Sequence, residues 1–360
     1  MSALREYTQR QYTELETEQI RTGSLTTFRL PEVGLGARLY LMITGKIKPT
    51  LGTGTAVMSE LGIRNLISRL TVRLNDGTIL YEMQGFNTNI PTMLQNGFDP
   101  DVVAINRNYS AEMPFKSLDN GANITAGDKD FMFPVEIPFI NNDKDMLGLL
   151  LLQNGTTQAT VEIAWNQAFS TNGLNAPVKV TGNATIEVTG MVNPVLETFT
   201  IPNLPQEQVS ALLKPHLSFM NVWKSEYEAI TSTAPLMKKL ERGSIYTKVA
   251  HNVIMNGARD SKAIAQLLVK YRGTETPVYI PRNHQLYFQR RNYGFDLPQG
   301  LFVHDYDRSF GIEEFGDMRD YIDSRSLTEL VSQLNFDSGY TVGADSYVYT
   351  IVNKLTPVNI

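Results

Sequence analysis

A chain of 360 residues is longer than a single hydrophobic core usually serves, so two domains are expected, and 42% hydrophobic against 19% charged residues lets both pack. The absence of cysteine excludes disulfides, thiolate chemistry, zinc knuckles and iron–sulfur clusters. A formal charge of -5, from 32 Lys and Arg against 37 Asp and Glu, argues against a protein whose main task is gripping nucleic acid, because phosphate neutralisation needs a basic footprint.

Residues 1–21 have good helix formers and neither glycine nor proline, and Gly23 supplies a stop, so the sequence predicts a helical arm over 1–22. Its apolar residues Leu4, Tyr7, Leu15 and Ile20 form a weak stripe that needs a partner surface. Charges run through the segment, so no signal peptide is expected. From Ser24 the pattern changes to short β segments: LTTFRL (25–30), ARLYLMITGKI (37–47), RLTVRL (69–74) and TILYEM (78–83). Between the last two, Asn75-Asp76-Gly77 is a strong hairpin turn. FMFPVEIPF (131–139), ATVEIAW (159–165) and ATIEVTGMV (184–192) continue the series, and Pro134 and Pro138 mark the first of these as an edge strand or a strand end.

NPVLETFTIPNLPQEQ (193–208), with three prolines, reads as an interdomain linker. Strands are then predicted at 217–223, 244–255, 265–273, 277–281, 285–295, 300–306 and 347–355. One helix is expected late in each strand series, at 143–153 in the first and at 317–336 in the second, the latter with a capping box from Ser326 and Glu329. ISRLTVRLNDGTILYEM (67–83) parallels AQLLVKYRGTETPVYIP (265–281) in element order, which points to a duplicated domain: 23–195, then 196–360.

No catalytic or metal-ligating spacing stands out. The histidines at 216, 251, 284 and 304 are isolated from one another in sequence, and His304-Asp305-Tyr306-Asp307 reads as an exposed strand end. Glu313-Glu314-Phe315-Gly316-Asp317 and Asn141-Asn142-Asp143-Lys144-Asp145 could offer oxygens to calcium, but solvated loops at helix starts explain both. Gly34-Leu35-Gly36 and Gly52-Thr53-Gly54-Thr55 lack the Gly-Lys-Ser/Thr that completes a phosphate loop. Gln289-Arg290-Arg291-Asn292-Tyr293 reads as a surface or interface strand. No cofactor is expected.

Two cysteine-free β-sandwiches in tandem, with a helix in corresponding positions, resemble the double jelly-roll major capsid proteins of membrane-containing icosahedral viruses, the tectiviruses above all. ELGIRNLISRLTVRLNDGTILYEMQGFNTN (60–89) is similar to their first-domain helix, strand, turn and strand. FDLPQGLFVHDYDR (295–308) is similar to a second-domain turn leading into an aromatic strand, with Pro298 and Gly300 at the turn. The resemblance implies an all-β fold of two tandem jelly rolls, each with an inserted helix, plus the N-terminal arm. It also implies a non-enzymatic homotrimer that contacts neighbouring trimers and minor or vertex capsid proteins. Such a shell is assembled in the host cytoplasm around an inner membrane, with no specific nucleic acid. Under that reading Leu4, Tyr7, Arg10 and Leu15 of the arm, with Arg290 and Arg291, are the candidate interface residues. The competing reading is a carbohydrate-binding or glycan-cleaving double β-sandwich. Only Trp165 and Trp223 could serve as its platform, and both fall in strand patterns that suggest burial.

Overall fold

A computed structural model describes residues 4–97, 121–143, 145–153, 158–171, 176–271, 275–306 and 321–358. The chain divides into two compact units, Met1–Met220 and Asn221–Ile360. Among the described residues each unit is framed by eight principal strands. In the first they are β1 (Arg10–Glu14), β2 (Leu25–Arg29), β3 (Leu35–Thr50), β4 (Ile67–Leu74), β5 (Ile79–Met83), β6 (Lys129–Pro138), β7 (Ala159–Trp165) and β8 (Thr185–Phe199). In the second they are β9 (Phe219–Ala229), β10 (Leu236–Lys239), β11 (Ile245–Met255), β12 (Ile264–Tyr271), β13 (Glu275–Pro281), β14 (Leu301–Asp305), β15 (Leu330–Phe336) and β16 (Tyr347–Pro357).

The pairing is the same in both. The first unit has the sheet orders β1-β8-β3-β6 and β2-β7-β4-β5. The second has β9-β16-β11-β14 and β10-β15-β12-β13. Adding eight to each number of the first gives the second. Two four-stranded antiparallel sheets with this interleaved order make a jelly roll, and the chain contains it twice.

The strands alternate as a half-buried sheet requires. Along β7 the inward positions Ala159, Val161, Ile163 and Trp165 are buried while Thr160, Glu162 and Ala164 are not. In the second unit Val253, Met255, Leu267, Phe302, Leu334 and Val348 meet in one apolar cluster drawn from both sheets. The Asp76-Gly77 turn forms as expected: Gly77 takes φ +86°, and the Asp76 carboxylate accepts from the Thr78 N–H at 2.9 Å. β6, with Pro134 and Pro138, lies at a sheet edge.

Several expectations are corrected. The N-terminal segment is no helical arm: one turn, α1 (Leu4–Tyr7), is followed by β1, whose Arg10 to Glu14 pair in register with Phe199 to Val195. The ladder gives the Val195–Phe199 stretch of that β8 edge backbone partners, which a weakly amphipathic helix could not do.

The apolar run after Asp145 forms no helix. Met146 and Gly148 take positive φ, and Leu150–Leu151 pair with Leu35 and Gly36. With no polar face to show to water, the run is mostly buried, Leu147 and Leu151 being half-buried. In 317–336 the described part is a 3₁₀ turn at Ser324–Ser326, capped by Asp323, and then β15; residues 317–320 lie outside the described residues. All of β15 but Asn335 is buried, so ladder pairing on both sides wins over the near-helical spacing.

Conversely 285–295, expected as a strand, belongs to a helix, α4 (Arg282–Tyr293). Pro281 precedes it, and Gly294 closes it at φ +76° with its N–H on the Arg290 carbonyl. The prolines of the expected linker do not make it one. Asn193 to Phe199 finish β8, and α3 (Gln206–Leu217) follows, its Val209 and Leu213 packed on Leu35 and Phe199 within the first unit. Corresponding helices do exist in the two units, at another place: α2 (Ile90–Asn96) follows the β4–β5 hairpin, and α4 follows β12–β13.

Candidate functional site

The six residues expected at an interface lie in different settings. Leu4 is fully buried, seated with Leu35, Ile140, Phe199 and Leu213 in the core of its own unit. Arg10 is held within the sheet, its guanidinium 3.0 Å from Glu197, 3.9 Å from Asp143 and above the Phe199 ring. Leu15 is half-buried, its N–H on the Pro194 carbonyl. Tyr7 is exposed, as is Tyr12 nearby. Of the arm residues, Leu4 therefore packs internally, Arg10 pairs within its own unit, and Tyr7 and Tyr12 are exposed.

Arg290 and Arg291 sit on the solvent side of α4. The inner side presents Gln285, Gln289 and Tyr293 at helical spacing. Their amides are locked to β14: Gln289 donates to the Leu301 carbonyl and accepts from the Val303 N–H, while Gln285 donates to the Gln289 side-chain oxygen at 3.1 Å. The outer side exposes Leu286 and Tyr287, Tyr279 of β13 is exposed too, and the Arg291 guanidinium lies 5.3 Å over the Phe288 ring. Here an aromatic and basic surface stands on a helix that is fastened from below.

Composition gave no sign of a second feature, a row of charges across the sheet β1-β8-β3-β6. Arg38 of β3 reaches Glu136 of β6 at 3.2 Å, Glu197 of β8 at 3.3 Å and Asp143 of the following loop. Tyr40 donates to Glu197 at 2.8 Å, and Arg10 of β1 completes the row. Burial raises the Glu136 carboxyl above its ordinary range, against the lowering effect of Arg38 and of the Asn96 amide. The loop acid suspected of calcium ligation, Asp143, is thus engaged with arginine, and Asn142 accepts from the Asp145 N–H. Residues 313–317 lie outside the described residues, as does Lys144. The signal for the row was faint: a charged residue inside each of the strand patterns ARLYL, FPVEIPF and VLETF.

The histidines do not converge as ligands. His216 bonds the Asp145 carbonyl through Nδ1, and His251 bonds Ser332 at 2.7 Å and Thr350 at 3.2 Å. His304-Asp305 is no exposed strand end: both are buried, and Asp305 pairs with Lys248 and accepts from the Tyr293 hydroxyl. Among the described residues no three His, Asp or Glu side chains are grouped to hold a metal ion, and no helix is long and apolar enough to cross a membrane. Trp165 donates to the Thr26 hydroxyl at 2.8 Å and Trp223 is fully buried, so neither offers a sugar platform.

No family model and no curated protein matches the sequence. Solved structures match over nearly the whole chain. The STIV major capsid protein (the virus being Sulfolobus Turreted Icosahedral Virus) superposes with a TM-score of 0.68 at 13% identity, covering 97% of each chain. VP54 of PBCV-1 gives a TM-score of 0.63 at 8% identity, covering 97% of this chain and 94% of that one. The major capsid protein P2 of bacteriophage PM2 gives 0.53 at 11%, covering 98% of both. These are double jelly-roll major capsid proteins, and the chain has their fold.

Proposed function

We propose that this protein is the major structural subunit of an icosahedral viral capsid and that its function is self-association. The observation that carries the reading is the duplicated eight-strand topology, shared end to end with capsid proteins whose sequences have diverged to 8–13% identity. A fold by itself hosts many functions. Here the reading is supported further by what the sites offer: buried charges serve the sheets, and the exposed Tyr279, Leu286 and Tyr287 with Arg290 and Arg291 suit a subunit contact of aromatic and arginine character. In the finer form of the proposal three chains close a ring of six jelly rolls, a pseudo-hexagonal block. Blocks then tile a shell around a membrane vesicle, with minor proteins at the vertices and assembly in the host cytoplasm.

Light scattering after size-exclusion chromatography tests it. The expected particle has three times the 40.4 kDa chain mass, and negative-stain images show hexagonal blocks. A clean monomer at micromolar concentration overturns the trimer, and blocks that never tile with the other virion proteins present overturn the capsid role.

A further inference from the structure

The outward side of α4 carries charge of one sign. The helix holds Arg282, Arg290 and Arg291 and no acid. Arg282 spends its guanidinium on the Lys262 and Ile264 carbonyls, and Arg290 has Asp296 at 3.5 Å. Arg291 meets no carboxylate among the described residues; it donates to the Asn292 side-chain oxygen and lies over Phe288. Tyr287, one helical turn before these cations, is 62% exposed. Two such faces repel, so α4 cannot pair with its own copy across a twofold axis. A second chain has to meet it with an unlike surface.

β1 and the residues after it offer that surface. Glu14, Glu16 and Glu18 have no ion-pair partner among the described residues, and no other described stretch of five residues holds three acids. The cation of this strand, Arg10, is engaged by Glu197 and Asp143. Tyr12 and Glu14 stand two residues apart on one face of β1, both exposed. β1 is also the end strand of its sheet order, so its outer side is open to another chain. An acidic edge with an exposed tyrosine complements a basic helix with an exposed tyrosine, in charge and in apolar character alike.

We infer that α4 of one chain docks on the β1 edge of a second copy, with Arg290 and Arg291 against Glu14 and Glu16 and with Tyr287 against Tyr12. The inference rests on the capsid reading and names the surface that the α4 patch takes on its neighbour. Because the contact joins unlike surfaces head to tail, it passes from chain to chain and makes a ring where the rotation closes.

The test is charge reversal on the full chain, read by light scattering after size-exclusion chromatography. Arg290→Glu with Arg291→Glu is expected to raise the dissociation constant at least about tenfold, as is Glu14→Arg with Glu16→Arg. The chain carrying all four substitutions is expected to regain the wild-type assembly. The four side chains are exposed, so the variants keep the fold, and circular dichroism checks each. The absence of cysteine allows a second measurement. Glu16→Cys and Arg291→Cys chains, mixed and oxidised, are expected to give a disulfide-linked pair that neither gives alone. A wild-type monomer overturns the capsid trimer and this contact together. A wild-type trimer that survives either reversal, a fourfold variant that stays apart, or a mixture without the mixed disulfide overturns this contact alone.

Discussion

Lys248 of β11 and Asp305 of β14 stand opposite one another in the ladder, with side chains 3.4 Å apart and each 2% exposed. The first unit places a cation and an acid on the equivalent strands, Arg38 on β3 and Glu136 on β6. Both jelly rolls thus carry a buried charge pair between the third and sixth strands. Removing one member strands the other charge in a medium that solvates it poorly.

Asp305→Asn is expected to destabilise the second unit by about 3–5 kcal/mol, because the Lys248 ammonium stays buried without the opposing charge. The double substitution Lys248→Met with Asp305→Leu is expected to recover most of that loss. Urea unfolding of the three proteins measures both effects. A double variant no more stable than Asp305→Asn would show that the pair is worth more than its desolvation.

Acid is expected to destabilise the protein from below neutral pH. Burial holds His251 at about 3 and His304 at about 4, both under the ordinary 6.5, with His304 and Lys238 lowering His251 further. The unfolded chain then binds protons that the folded chain refuses. Stability is full above pH 6.5 and falls as the pH drops toward these values, by about 1.4 kcal/mol per pH unit for each histidine. His251→Gln is expected to reduce that slope by about one such increment between pH 6 and 5, read from denaturant midpoints at each pH.

Deleting residues 1–14 is expected to give aggregated protein, because it strips β1 from the edge of β8 and opens the pocket that Leu4 fills. Leu4→Ala alone is expected to cost about 2–5 kcal/mol. A soluble, fully stable monomer from the deletion would restore the reading of an arm that serves only neighbouring subunits. Thermal unfolding and light scattering separate the outcomes.

Gly45 and Gly190 face each other across β3 and β8, and Phe131 lies opposite Gly45 on β6. A Cβ on Gly45 would stand 2.4 Å from the Thr189 carbonyl oxygen and 2.6 Å from the Phe131 ring. Gly45→Val is expected to destabilise the first unit by about 1–3 kcal/mol, and combining it with Phe131→Ala should recover little, because the backbone clash persists. Calorimetry of the single and double variants checks this.

The sequence by itself determined the strands whose pattern is local. Alternation along 159–165, the Asp-Gly turn at 76–77 and the prolines of β6 each state a strand, a reversal or an edge without reference to distant residues. It also exposed the duplication, because two hairpins at 67–83 and 265–281 repeat the same order. What it could not decide were segments whose local preference loses to pairing far along the chain. Arg10 to Glu14 favour a helix until β8, some 185 residues later, offers an open edge. Leu330 to Phe336 have helical spacing, yet lie between β10 and β12. Gln285 to Tyr293 read as a strand because Tyr and Phe suit strands, but the residues that matter are two glutamines and Tyr293, four apart, seated on β14. The charge pairs belong to the same class. Their members are separated by tens to more than a hundred residues, and only the sheet order brings Lys248 to Asp305 and Arg38 to Glu197.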